Sequence, residues 1–183
     1  VPSLDSLRHY LTTEVSAEAH YQRVHERGMS FGSNFRGVEQ IWRGEQEALG
    51  FVRLPETTTL TRYYVHPGLL DECLQVSNSV LPADGNDSYL PISVDSLTIF
   101  QSPPSAVWCH LIARPNQGRE IVQVDGELLD EQGQVVAAIA GLSLKRASAG
   151  ESLGTDRLDS WLYEVEWRLH DAPQPVTTGG AAV

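Results

Sequence analysis

Apolar residues recur at helical spacing from the start of the chain. Leu4, Leu7, Tyr10 and Leu11 fall on one stripe, and residues 3–27 read as helical. A second pattern follows Ser16, a suitable N-cap, and runs to Arg27 before Gly28, a suitable stop. The texture then changes. Residues 35–43 and 46–54 are short alternating segments divided by Gly44, the pattern of two antiparallel strands. His66–Pro67 opens another helix, because proline is favoured in the first turn. There Leu69, Leu70, Cys73, Leu74, Val80 and Leu81 form an apolar stripe, with Asp71, Gln75 and Asn78 on an adjacent polar one. This helix is expected over 67–81, before Pro82 and a polar loop at 83–88. Residues 94–100, 105–113, 119–129 and 134–146 then read as strands separated by turn-rich connections. In the third of these, Val122, Val124 and Leu128 alternate with Gln123, Asp125 and Glu127, so one face is buried and the other wet. Two strands, a buried helix and four meandering strands predict an antiparallel sheet of roughly five to seven strands wrapped around one helix.

Beyond that core, residues 147–156 are small and polar, a linker by composition. Residues 161–169 (WLYEVEWRL) are apolar and alternating again, and 171–183 are rich in Pro, Gly and Ala. A length of 183 residues leaves room for one domain with a real core plus tails. The 24 acidic residues against 13 basic ones, a net charge of -11, disfavour nucleic acid and anionic membrane surfaces as partners. Cys73 and Cys109 lack CxxC spacing, which makes a reducing, cytoplasmic setting the expectation. No apolar run approaches the ~20 residues of a membrane span, and the start has no signal-peptide pattern. An opening on Val1 reads as a piece of something longer.

Several short motifs fail on context. Gly28-Met29-Ser30-Phe31-Gly32 fits the GxSxG nucleophile elbow, but a helical pattern precedes it and a strand pattern follows, the reverse of what the elbow needs. Asp84, Asn86 and Ser88 begin like a calcium loop, whose sixth position must be Gly and here is Tyr89. His20 and His25 are five apart, off a common helical face, with no second ligand motif for a metal. Asn86-Asp87-Ser88 is a glycosylation sequon without secretory context.

The segment from Tyr63 to Gln75 carries more. Its plain reading is an amphipathic core helix with polar residues at one edge. Its functional reading starts from Asp71, in the first or second turn of a helix that strands should enclose. A carboxyl in such a setting is pushed up by desolvation and down by the helix N-terminus. Gln75, one turn on, can hydrogen-bond it and fix its orientation, a sensible arrangement for a general acid.

This segment resembles the second half of the double-hot-dog dehydratase domains of modular polyketide synthases. Their second hot-dog carries an HPxLLDxxxQ/H signature, matched here by His66-Pro67-Gly68-Leu69-Leu70-Asp71 followed by Gln75. Residues 25–37 (HERGMSFGSNFRG) are similar to the family's GxxYGPxFxG entry segment, and Tyr89-Leu90-Pro91-Ile92 to its LPF/LPI segment. Residues 162–168 (LYEVEWR) are similar to the LYxVxW stretch that leads toward a ketoreductase region. Four ordered landmarks thus cover about residues 15–170. Two departures stand out. The HxxxGxxxxP motif that holds the catalytic His of the first hot-dog does not occur here. Phe31 and Ser33 replace the usual Tyr and Pro of the entry segment.

The resemblance implies an α+β hot-dog fold, the second half of a double hot-dog. It implies a lead-in at 1–15, the C-terminal hot-dog at 16–146 and an exit linker at 147–183. The implied reaction is loss of water from a β-hydroxyacyl thioester to give an enoyl thioester. Asp71 would be the acid, Gln75 would position it, and Phe31, Gly32, His66, Pro67, Leu70 and Leu74 would contact substrate. The substrate would arrive on the phosphopantetheine arm of an acyl carrier protein, with no metal or other cofactor bound directly. The implied partners are that carrier, an N-terminal hot-dog half bearing the catalytic His, and neighbouring synthase domains. The chain alone is expected to be inactive. Open alternatives are a non-catalytic scaffold half-domain, a cyclase or double-bond isomerase on the same fold, and a free-standing hot-dog thioesterase or acyl-binding homodimer.

Overall fold

The computed structural model describes residues 3–56, 58, 63–81, 88–115 and 120–147. All but the first residue of the expected exit segment at 147–183 and most of the loop at 83–88 lie outside these residues.

Among the described residues, three α-helices and eight strands are built in chain order. Helix α1 (Leu4–Tyr10) is capped by Ser3, whose hydroxyl accepts from the Ser6 N–H. Strand β1 (Thr13–Ser16) follows and runs directly into α2 (Ala17–Glu26), capped by Ser16 as its position suggested. The helix stops at Gly28, whose φ of +82° a residue with a side chain rarely adopts. Strands β2 (Val38–Arg43) and β3 (Glu47–Arg53) form the expected hairpin. Helix α3 (Pro67–Val76) continues as a 3-10 turn over Ser77–Ser79, close to the expected end near 81. Then come β4 (Ser88–Ser93), β5 (Ser96–Ile99), β6 (Ala106–Ala113), β7 (Ile121–Leu129) and β8 (Val135–Ala147).

The strands join one sheet in the order β1-β2-β3-β6-β7-β8-β4, with β5 also on β8. Every pairing among the described residues is antiparallel. Among the described residues the sheet therefore has eight strands rather than five to seven. The two additions are short and lie at its edges: β1, which sits within the stretch that reads as helical, and β4, which contains Pro91. Strand β8 is long enough to pair with β7 along one side and with β4 and β5 in succession along the other.

The strand period of two sends alternate residues to two separate clusters. Ile41, Ala48, Val52, Val107, Cys109 and Leu111 face the main core with α3, where Leu69, Cys73 and Val76 are buried. Trp42, Leu49, Phe51 and Trp108 face the other way and meet Leu7 and Leu11 of α1 and its C-cap. The Arg8 guanidinium lies over the Trp42 and Trp108 rings, 4.9 and 5.7 Å from their centroids. Helix α3 crosses β2, β3 and β6 closely because β3 offers no side chain at Gly50. A Cβ there would meet Val76 at 2.5 Å. The Cys109 thiol completes the seat by donating to the Cys73 carbonyl at 3.6 Å. An antiparallel sheet holding one buried helix against its face is what the pattern predicted, and it is the hot-dog arrangement that the resemblance implied. No helix among the described residues is long and apolar enough to cross a membrane.

Candidate active site

Helix α3 starts sharply. Pro67 occupies its first position, and His66 is its N-cap, with Nδ1 accepting from the Gly68 N–H at 3.1 Å. Asp71 follows in the second turn and Gln75 one turn later. The Gln75 Nε2 donates to Asp71 Oδ2 at 2.9 Å and to the Phe35 carbonyl at 3.1 Å. Both protons of the amide are thus used. One anchors Gln75 to the segment ahead of β2, the other holds the carboxyl. Asp71, Leu74 and Gln75 line a cleft of about 320 Å³ together with Met29, Ser30, Phe31, Asn78 and the β4 residues Tyr89 to Pro91. Its walls come from the α2–β2 connection on one side and β4 on the other, so three of the four landmark segments of the sequence meet here.

Behind the cleft lies a row of buried polar groups. His20 of α2 is 3% exposed, and its Nε2 makes no hydrogen bond. Burial, helped by the Arg23 charge, lowers its pKa to about 4, and the nearby Gln75 side chain opposes this. His20 is therefore neutral at pH 7. Gln75 Oε1 is likewise buried without a hydrogen bond. Glu72, next to Asp71, is fully buried with neither carboxyl oxygen hydrogen-bonded. Burial pushes its pKa up to about 7. The Gly37 backbone amide pulls the other way, and the neighbouring Asp71 charge adds to the rise. Glu72 fits only because Gly37 has no side chain: a Cβ there would collide with the Glu72 carboxyl and the Arg53 carbonyl. Tyr21 closes this row, its hydroxyl accepting from the Val38 N–H at 3.0 Å beneath the Arg36 guanidinium.

Of the residues singled out in the sequence, Phe31, Asp71, Leu74 and Gln75 are together in the cleft. Gly32 sits just beyond the cleft wall as the N-cap of a short 3-10 turn. His66 and Pro67 start the helix, and Leu70 packs half-buried against the main core. Pattern reading missed Glu72 and His20. Both had a signal: Leu69, Glu72, Cys73 and Val76 share one face at i, i+3, i+4 and i+7, and His20 and Val24 share another at i, i+4.

Residues 1–154 match the family model described as the polyketide synthase dehydratase N-terminal domain. The chain belongs to the polyketide synthase dehydratase family. It is 33% identical over 160 residues to polyketide synthase PksN of Bacillus subtilis, covering 81% of this chain and 3% of that protein. It is 32% identical over 168 residues to mycoketide-CoA synthase of Mycobacterium tuberculosis, covering 85% of this chain and 4% of that protein. Solved structures agree. The CurJ dehydratase domain of curacin polyketide synthase superposes with a TM-score of 0.71 at 30% identity, over 80% of this chain and 53% of that one. The CurK dehydratase domain gives 0.72 at 28%, over 81% and 54%. This polyketide synthase dehydratase chain thus spans a small part of the multidomain relatives and about half of each solved dehydratase domain.

Proposed function

We propose that this chain is the C-terminal hot-dog half of a polyketide synthase dehydratase and supplies the acid of its active site. The observation that carries this reading is Asp71: a carboxyl lining the cleft, held through one oxygen by Gln75, with no other hydrogen bond among the described residues. Its Oδ1 is available to a substrate. In the elimination a base removes the α-proton of a β-hydroxyacyl thioester, and the electron pair moves into the new Cα–Cβ double bond. The Cβ–O bond breaks, Asp71 donates its proton to the departing hydroxyl, and water and an enoyl thioester leave. Leu74 and Phe31 supply the apolar wall for the acyl chain.

Three observations support placing the chain in the C-terminal half, although the matching family model is described by the N-terminal one. The HPxLLD segment opens the helix on which Gln75 hydrogen-bonds Asp71. CurK dehydratase is inactive with an aspartate replaced by asparagine or a histidine replaced by phenylalanine, the histidine preceding the aspartate in that chain, which fits an acid and a base drawn from separate segments. The edge formed by β4 and β5 carries Leu90, Ile92, Val94 and Leu97, all at least 40% exposed. An apolar row of this kind on a sheet edge is costly when bare and suits docking of an N-terminal hot-dog half that brings the His base. On this reading residues 1–15 lead in, 16–146 form the hot-dog, and 147–183 exit toward the next domain. The substrate is tethered to the phosphopantetheine arm of an acyl carrier protein.

The test is an enoyl-product assay with a β-hydroxyacyl thioester. The purified chain should give only trace product, because one acid–base partner contributes ~10²–10⁴-fold. Supplying the N-terminal half should restore turnover. Robust product from the chain alone would show that the base lies within it.

A further inference from the structure

The Gln75 carboxamide can be placed in two orientations related by a half-turn, and only one is useful. In the observed one, Nε2 faces two acceptors, the Phe35 carbonyl and Asp71 Oδ2. In the other, Oε1 would face both of them, and Asp71 would lose its partner. Helix geometry alone does not select between the two. The Phe35 carbonyl can only accept and so favours the observed orientation; a donor at the amide's other, buried end would strengthen that preference. Gln75 Oε1 needs a donor and makes no hydrogen bond; the buried His20 Nε2 makes none either, and the His20 side chain interacts with that of Gln75. Each orphan is what the other lacks, provided the imidazole carries its proton on Nε2.

We propose that His20 is a positioning residue for the dehydratase: as the neutral Nε2–H tautomer it donates to Gln75 Oε1 and so locks the amide in the orientation that holds Asp71. The proposal rests on reading Asp71 as the acid. The relay runs from α2 to α3 and onto the carboxyl, each link passing a donor to an acceptor. His20 acts from behind the cleft rather than from its wall. Its neutrality matters to the packing. A charged imidazolium buried within helix α2, with Arg23 one turn away, would be costly. The T-shaped contact with the Tyr21 ring, 4.9 Å between centroids, helps keep the imidazole in place.

The test combines a spectrum with kinetics. In ¹⁵N NMR of the full 183-residue chain at pH 7, His20 should show a protonated Nε2 and a bare Nδ1, and the Gln75 side-chain amide should exchange slowly. His20→Phe should speed that exchange and shift the Gln75 amide resonances, and His20→Gln should restore both by supplying an N–H donor. With the N-terminal half present, His20→Phe should lower kcat by about tenfold or more, less than loss of the acid itself. KM should change by no more than about twofold, since uniform substrate binding is untouched. His20→Gln should recover most of the rate. A protonated Nδ1 with a bare Nε2, or a Gln75 amide indifferent to His20→Phe, overturns the His20 role and leaves Asp71 standing. So does an unchanged kcat for His20→Phe where Asp71→Asn is inactive. An active Asp71→Asn overturns the acid reading itself, and the positioning role falls with it.

Discussion

Burying an ionisable carboxyl beside the cleft has a consequence for stability that Glu72→Gln should expose. Glu72 titrates near 4.5 in an unfolded chain and near 7 in the fold. Below pH 4.5 both states hold the proton and the group contributes no pH dependence. Between 4.5 and 7 the unfolded chain releases its proton and the fold keeps it, so stability falls as pH rises; above 7 the loss is complete. The difference is worth at most ~3 kcal/mol, and closer to ~2 once partial screening is allowed for. His20 works in the opposite sense. Its pKa is lowered from 6.5 to about 4, so its contribution is present above 6.5 and is lost as pH falls toward 4. The two slopes oppose each other between about 4.5 and 6.5. Gln mimics the protonated Glu in shape and cannot ionise. Chemical denaturation of wild type and Glu72→Gln at half-unit steps from pH 4 to 8 gives a difference profile from which all other groups cancel. It should be flat below 4.5, climb in favour of the variant to ~2 kcal/mol by pH 7, and flatten again. A variant that is less stable than wild type at pH 8, or a flat difference profile, would show that Glu72 is not held as a buried acid.

Gly37→Ala should destabilise the fold by roughly 2 kcal/mol or more, because its Cβ collides with both the Glu72 carboxyl and the Arg53 carbonyl; thermal melts measure this, and an unchanged melt would mean that the two segments can separate cheaply. His66→Ala should cost about 1 kcal/mol through loss of the α3 cap, and His66→Asn should recover most of it; equal melts for the two variants would count against capping. Paired Leu90→Asp and Ile92→Asp substitutions on the β4 edge should leave the melting temperature of the chain nearly unchanged and abolish binding of the N-terminal half in sedimentation or pull-down. Retained binding would place the seam elsewhere.

What could be read from the sequence depended on whether the deciding contacts were local. Ser16, Gly28 and the His66–Pro67 start are local devices, and they act where the sequence put them. The alternation of Val122, Val124 and Leu128 is local too, and those residues are buried in β7. Strand β1 is different. Thr13–Ser16 has one buried residue, Val15, and exists because β2 supplies its hydrogen bonds. Strand β4 was hidden by Pro91, which is tolerated because β4 lies at an edge of the sheet. At the site, the Asp71–Gln75 pair follows from i, i+4 spacing alone. Glu72 was obscured because an acidic residue suggests solvent, although its spacing from Leu69 and Val76 put it inside. The His20–Gln75 juxtaposition joins residues that only the packing of α2 toward α3 brings together.

The central claim is that Asp71 delivers the proton to the departing hydroxyl. The most direct measurement is single-turnover formation of enoyl thioester from a β-hydroxyacyl carrier-protein substrate, by the chain combined with its N-terminal half, as wild type and as Asp71→Asn. Asn keeps the shape and the contact to Gln75 but has no acidic proton to give. The rate should fall by ~10²–10⁴-fold while substrate binding and melting temperature stay near wild type. An Asp71→Asn enzyme that turns over within a fewfold of wild type would contradict the assignment and leave the cleft without its acid.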